Sequence, residues 1–247
     1  MAPILWPLRI VVRLIGLLII AFVLALLVFL GYALYNYTRP ASPQAIENLD
    51  RGVVRVQAAH HLERYGSEGT GAVIRVGASW KVVTAAHVIA DQDGVSDEIL
   101  VASQGSVQRA EPELIDRDRD VAILRVEPAQ SWIAIPVNRD LPASSDRVLV
   151  RCFFDSEPRQ GPFVSSVDVN QVGDQVQARL SLGDLFDPLR GFSSTTGTNI
   201  LAYLPAQPGC SGAPMVNRDG ELVGIVLAGN QQATVAVAAS SAIPESQ

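Results

Sequence analysis

A histidine, an aspartate and a serine occur in that order along the chain, each inside a short word suited to chemistry. Thr84-Ala85-Ala86-His87 follows the apolar β-formers Val82 and Val83, and Arg119-Asp120 opens directly onto Val121-Ala122-Ile123-Leu124. Gly209-Cys210-Ser211-Gly212-Ala213-Pro214 sets a serine between glycines. A serine hydroxyl is a weak nucleophile until an imidazole takes its proton, and a carboxylate can hold that imidazole in the right tautomer. Glycines beside the serine free the backbone to turn N–H groups toward a developing oxyanion. Taken singly, Asp120 reads as a turn residue, His87 as a structural histidine and Gly-x-Ser-Gly as a common turn. Together, in order and at strand ends, they read as one constellation. In it Ser211 is the nucleophile, His87 the base and then the acid, and Asp120 the residue that orients His87. The N–H groups of Gly209 and Ser211 form the oxyanion hole, roughly 2.7–4 kcal/mol per donor.

These residues need strands to hold them. From Gly52 onward the chain alternates short apolar runs with Gly, Asp, Ser and Pro, the pattern of many short strands. A first group is expected at Val53–Ala58, Gly71–Val76, Lys81–Thr84, Glu98–Ala102, Pro112–Ile115 and Val121–Val126. His87 then follows the third strand and Asp120 precedes the sixth. A crossover around Pro136–Ser145 leads to a second group. It opens with Arg147–Phe153, includes a hairpin of Ser166–Gln171 with Gln175–Leu180, and closes with Leu222–Leu227 and Thr234–Ala238. The expectation is an all-β domain over 51–244, built as two six-stranded antiparallel β-barrels, about 51–130 and 146–244. The stretch Gly183–Gly197 reads as loop, and no long amphipathic helical pattern appears after residue 40. His60 and His61 adjoin on an expected strand edge, where neighbours point to opposite faces, so they do not suit a shared metal ion. No metal or cofactor is expected.

The first forty residues are different in kind. Leu14–Leu34 is an uncharged run of 21 residues, almost wholly Leu, Ile, Val, Phe and Ala. About 20 such residues cross a bilayer as a helix. Trp6, Tyr32, Tyr35 and Tyr37 flank it, where amphipathic rings favour the lipid–water boundary. A cleaved signal peptide would have a shorter apolar region and small residues at its end. The reading is a retained membrane anchor over 1–38, with 39–50, containing Pro40 and Pro43, as linker. Arg9 and Arg13 before the span are balanced by Arg39, Arg51 and Arg55 after it, so charge alone does not orient it. A short tail inside and an exported domain is the simpler topology. The net charge of −6 argues against nucleic acid as a partner.

The segments ending in His87, beginning at Asp120 and surrounding Ser211 resemble the three signature blocks of trypsin-like serine peptidases. Asn217-Arg218-Asp219-Gly220-Glu221-Leu222-Val223-Gly224-Ile225 is similar to the bacterial HtrA branch. The resemblance covers about residues 50–244 and implies the double-barrel fold, hydrolysis of peptide bonds through an acyl-enzyme, and protein or peptide substrates. HtrA proteins normally add a C-terminal PDZ domain; with the sequence ending at Gln247, none is expected. Order excludes an α/β-hydrolase, which needs its histidine after the serine. Cys210 as nucleophile would place Pro208, which lacks an N–H, at the oxyanion position. The rival function is a non-catalytic peptide-binding module on the same fold, against which the full triad argues.

Two positions depart from the trypsin pattern. The residue before the nucleophile is Cys210 rather than the aspartate that captures a freed N-terminus, so zymogen activation of that kind is not expected. Six residues before the serine stands Pro205 rather than an acid. With Pro205 and Ala206 lining the pocket, and Leu227, Ala228 and Gly229 forming the edge that pairs with substrate, apolar P1 side chains are expected. In related folds the strand opening the second barrel runs beside the nucleophile loop. The resemblance therefore implies that Cys152 and Cys210 can meet as a disulfide, with two separate buried thiols as the alternative. The sequence specifies no oligomer.

Overall fold

A computed structural model gives the protein's structure over residues 5–38, 40–59, 66–91, 94–103, 105–144, 146–153, 163–173, 196–202, 208–229 and 234–244. The chain divides into two units, Met1–Pro40 and Ala41–Gln247. The first is helix α1, Leu5–Thr38, whose Arg13–Tyr35 portion has a mean hydropathy of 3.2 and is long and apolar enough to cross a membrane. Its side chains from Leu14 to Tyr35 face outward almost throughout.

The second unit opens with a helix where a linker was expected. Helix α2, Pro43–Gly52, is capped by Ser42, whose Oγ accepts the Ala45 N–H at 3.0 Å, with proline in the first turn. It buries Ala45, Asn48 and Leu49, spaced to share one helix face, against the barrels. Asn48 donates to the Gly220 carbonyl at 2.9 Å, and the Ser42 N–H donates to Arg218 O at 2.9 Å. Residues 43–52 are therefore part of the folded domain. A single strong hydrophobe, Leu49, anchors the helix, which is why the composition read as linker.

The first sheet contains β1 (Val53–Ala59), β2 (Ser67–Val76), β3 (Ser79–Ala85), β4 (Glu98–Ser103), β5 (Ser106–Arg109), β6 (Glu111–Asp116) and β7 (Val121–Arg125). Its order is β5-β4-β1-β2-β3-β7-β6, antiparallel at every pairing. It has seven strands where six were expected. The additional β5 carries one apolar residue, Val107, and that side chain is exposed, so the strand leaves no alternating apolar signature.

The second sheet closes as a six-stranded barrel of β8 (Arg147–Cys152), β9 (Phe163–Gly173), β10 (Asn199–Ala202), β11 (Pro214–Val216), β12 (Leu222–Gly229) and β13 (Thr234–Ala238), ordered β10-β13-β12-β11-β8-β9. The expected all-β architecture of two antiparallel units is thus the one observed, with the second closed into a barrel and the first a seven-stranded curled sheet. The second half of the expected 166–171/175–180 hairpin, residues 183–195, His60 and His61 lie outside the described residues; β9 itself pairs with β8 and β10.

Between the sheets, residues 126–144 run as a strap. Ile135 N–H donates to Val73 O at 2.8 Å on the first sheet, and Leu222 N–H to Pro136 O at 2.7 Å on the second. Leu222, Ile225, Leu227 and Val237 pack into one continuous core with Val53, Ile74, Leu124 and the buried face of α2. That shared core fixes each barrel's loops relative to the other's.

Candidate active site

Antiparallel register brings the histidine and aspartate together. β3 pairs with β7 as Thr84↔Ala122 and Ala85↔Val121, so the residue before Val121 and those after Ala85 lie at one end of the sheet. Beyond Ala85 the chain makes one helical turn, α3 (Ala86–Ile89), closed by Ala90 N–H to Ala86 O at 2.9 Å. Ala86, Val88 and Ile89 are buried and only His87 turns outward.

Asp120 sits at φ 54°, a left-handed conformation that aspartate tolerates better than most side chains. From there its Oδ1 accepts the His87 backbone N–H at 2.9 Å and its Oδ2 lies 2.6 Å from His87 Nδ1. Its carbonyl accepts the Ala86 N–H at 3.1 Å. Two contacts to backbone and one to the ring leave the imidazole little freedom. The carboxylate accepts at Nδ1, which sets the tautomer with its acceptor lone pair on Nε2. The side chain of His87 is 48% exposed and that of Asp120 22%.

The loop bearing Asp120 is itself held. Asp116 accepts the Arg119 N–H at 2.9 Å and its guanidinium at 2.6 Å. Burial pushes the Asp116 carboxyl up, but the two Arg119 hydrogen bonds, the Arg119 charge and a hydrogen bond from the Asp118 backbone together outweigh it and leave the group below its usual value. Thr196, from the segment before β10, donates its N–H to Asp118 O at 2.9 Å, so both halves brace this loop.

Ser211 lies in the turn that enters β11, half-buried, with its hydroxyl directed at Leu227 O at 3.4 Å. That contact is long, and no hydrogen bond joins the hydroxyl to His87. Gly209 and Gly212 take φ of 94° and 83°. At Gly212 the requirement is absolute: a Cβ would lie 2.1 Å from both Thr70 O and Thr84 Oγ1. The Gly212 N–H donates to Val226 O at 2.7 Å and the Ala213 N–H to Cys210 O at 3.0 Å, fixing the turn. Cys210 is joined to Cys152, at the end of β8, by a disulfide with Cα atoms 4.8 Å apart.

A peptide plane carries its N–H opposite its carbonyl. With Cys210 O turned to Ala213, the Ser211 N–H points away from Ala213. Leu227, Ala228 and Gly229 end β12, where Ala228 and Gly229 pair with Val235 and Thr234 of β13. Their exposure rises from buried through half-buried to exposed, and no described strand pairs with their other side. Pro205 and Ala206 lie outside the described residues.

The chain matches the model of the trypsin-like peptidase domain over residues 69–225, well over half its length. It belongs to that family. Solved structures similar to it include the HtrA-type protease AlgW with a tripeptide, at 21% identity and TM-score 0.61 over 79% of this chain and 58% of that one. The Rv3671c protease of M. tuberculosis in its active form is 21% identical with TM-score 0.61, over 82% and 84%. The serine endoprotease of Yersinia pestis is 23% identical with TM-score 0.59, over 81% and 63%. This chain thus spans a little under three fifths of the AlgW chain's length. At these identities the likeness is one of fold. No curated protein matches the sequence.

Sequence reasoning passed over Thr70. It is fully buried on β2 and uses all its polar groups at the nucleophile loop and the segments around it. Its N–H donates to Ser211 O at 2.8 Å, and its hydroxyl donates to Gly209 O at 2.7 Å and accepts the Phe153 N–H at 3.0 Å. Its carbonyl accepts the Thr84 hydroxyl at 2.7 Å. The available signal was a threonine between two glycines, Gly69-Thr70-Gly71, directly before the apolar run Ala72-Val73-Ile74.

Proposed function

We propose that this protein is a membrane-anchored serine endopeptidase acting through Ser211, His87 and Asp120. The observation that carries the reading is the double engagement of Asp120 with His87, at the ring and at the backbone. A structural histidine needs no such orientation. Ser211 turns from Leu227 O to His87 Nε2 and attacks the scissile carbonyl carbon while Nε2 takes its proton. The tetrahedral oxyanion is held by the N–H groups of Gly209 and Ser211. The C–N bond then breaks, the leaving amine takes the proton from His87, and water repeats the sequence on the acyl-enzyme. Catalytic hydrogen bonds are often long or misaligned before substrate binds, which accommodates the Ser211 position.

An extended peptide adds beside Leu227–Gly229 as a further strand, its N–H meeting the carbonyl that Ser211 now contacts. Pro205, Ala206 and Gly229 offer a cationic P1 side chain no partner, so Val, Leu or Met is cleaved in preference to Arg or Lys. The anchor is the apolar portion of α1, with the peptidase unit outside the cytoplasm.

The test is covalent labelling of the full chain by a fluorophosphonate. Labelling abolished by Ser211→Ala supports the reading. An unlabelled wild-type protein that still binds extended peptides would instead establish a non-catalytic peptide-binding module.

A further inference from the structure

We infer that Asp116 is a positioning residue for this reaction: with Thr196 of the second barrel it pins the Asp118–Arg119 peptide, and so keeps Asp120 in the left-handed conformation that aims its carboxylate at His87. This rests on the functional reading above and adds a residue outside the triad. A peptide unit joins one residue's carbonyl to the next residue's N–H. In the Asp118–Arg119 unit both groups are held. Its N–H, that of Arg119, donates to Asp116 Oδ1 at 2.9 Å, and its carbonyl, that of Asp118, accepts the Thr196 N–H at 2.9 Å. The unit after Asp120 is held as well, because Asp120 O accepts the Ala86 N–H at 3.1 Å and Val121 opposes Asp116 in the β6–β7 ladder.

Among the described residues Asp120 is the one non-glycine with positive φ, 54°. A residue with a Cβ keeps that conformation only where its surroundings over-determine it. Here a single peptide unit, Arg119–Asp120, lies between two held ones. With the Asp118–Arg119 unit released, Asp120 can relax to an ordinary region. Those regions differ from the left-handed one in ψ as well as φ, and ψ sets how the Cα–Cβ bond stands on β7. The carboxylate then loses the arrangement in which Oδ1 meets the His87 N–H and Oδ2 lies 2.6 Å from Nδ1. The second barrel's share is built in: Gly197, after Thr196, takes φ 104°, where a Cβ would also stand 3.3 Å from Ser241 Cβ. The Arg119 side chain is nearly half exposed, so water weakens its ion pair with Asp116, and the bond to the Arg119 N–H carries the positioning. The hydrogen bonds of Asp116 go to Arg119 and Asp118 and none to His87 or Ser211, so it acts only through the backbone of its own turn.

Asp116→Ala removes the acceptor of the Arg119 N–H. Asp116→Asn keeps an acceptor oxygen there and drops the charge, and Arg119→Ala drops the guanidinium and keeps the N–H. These are compared with wild type, Ser211→Ala and Leu49→Ala in full-length, detergent-solubilised protein, at a temperature where every variant is folded. The probe is a fluorophosphonate, read as the maximal labelling rate and the half-saturating concentration, beside the thermal midpoint. Asp116→Ala is expected to lose about 100-fold in maximal rate, the scale of a group misplaced by about 1 Å. Its half-saturating concentration stays within about threefold of wild type, because the carboxylate acts in the reaction step and not in binding the probe. Asp116→Asn and Arg119→Ala keep the rate within about threefold, since both retain the bond to the Arg119 N–H.

Leu49→Ala empties a fully buried site on α2 and is expected to lower the midpoint while keeping the rate within about threefold. Should Asp116→Ala not fold, Thr196→Pro takes its place under the same threshold, because proline lacks the N–H that Asp118 O receives. A rate for Asp116→Ala within about threefold of wild type, beside an unlabelled Ser211→Ala, overturns this proposal alone. So does an equal loss in Leu49→Ala, which reduces Asp116 to a contribution to folding, or an equal loss in Asp116→Asn, which assigns the effect to charge. Labelling that survives Ser211→Ala overturns the functional reading and this one with it.

Discussion

At the scale of single residues, the proposed mechanism requires Ser211, His87 and Asp120 to act as a unit. Ser211 and Asp120 come from turns and His87 from the short helix α3, and the contacts that hold them mostly involve backbone groups: Asp120 to His87 N–H, Thr70 N–H to Ser211 O, Gly212 N–H to Val226 O. Side-chain truncation should therefore remove chemistry and leave the fold. Ser211→Ala and His87→Ala are each expected to abolish nearly all turnover, and the double variant should lose little more than either alone, measured as kcat/KM on a peptide substrate. Asp120→Asn keeps the size but presents an N–H where Nδ1 needs an acceptor, which inverts the histidine tautomer. A fall of about 10⁴ in kcat with little change in thermal midpoint is expected. The juxtaposition of His87 and Asp120 was legible in the sequence because each lies at a strand end, and the pairing of β3 with β7 converts that placement into proximity. Thr70 was not legible, because its importance lies in which carbonyls it meets across the sheets, and no local spacing encodes that.

At the scale of elements, two pieces of structure diverge from the sequence pattern for opposite reasons. β5 is a real strand whose residues mostly face solvent, so periodicity had nothing to detect. Helix α2 carries clear start signals, Ser42 followed by Pro43, but its buried face holds alanine, asparagine and only one leucine. Leu49 is fully buried against the barrels, and Leu49→Ala is expected to destabilise the domain by about 2–5 kcal/mol in a denaturant titration. A true linker residue would cost nothing.

The β6–β7 turn adds a pH dependence at the same scale. Asp116 is held below its ordinary value, so its bonds to Arg119 stabilise the folded state fully above the unfolded carboxyl's pKa, about 3.9. That contribution is lost as pH falls through the lower, folded value. The difference in thermal midpoint between wild type and Asp116→Asn should therefore be largest near neutral pH and shrink as pH falls below about 3.9. A difference independent of pH would show that the carboxylate's charge contributes nothing.

At the scale of the molecule, the second unit is a peptidase domain tied across its middle, and the first is a helix fit for a bilayer. The Cys152–Cys210 disulfide closes a separation of 58 residues and joins the strand opening the second barrel to the nucleophile turn. On the chain-entropy model such a closure stabilises by roughly 4 kcal/mol, so reduction should lower the denaturation midpoint by a matching amount. Disulfides persist in oxidising compartments, which fits a domain held outside the cytoplasm. The proposed placement in the cell rests on the first unit acting as an anchor. Arg13–Tyr35 supplies 23 residues at a mean hydropathy of 3.2, more than the roughly 20 that span a bilayer and well beyond the apolar core of a signal peptide. Basic residues on both sides leave orientation to be measured. With a short tail inside and the large unit exported, a reporter fused after Gln247 is expected to be active outside the cytoplasm. Intact full-length chain should stay with membranes through high-salt and alkaline washes, since a spanning helix is held by apolar burial that neither treatment removes. A soluble product beginning near Thr38 would show a cleaved leader, and a reporter active only inside the cell would place the peptidase unit on the cytoplasmic face.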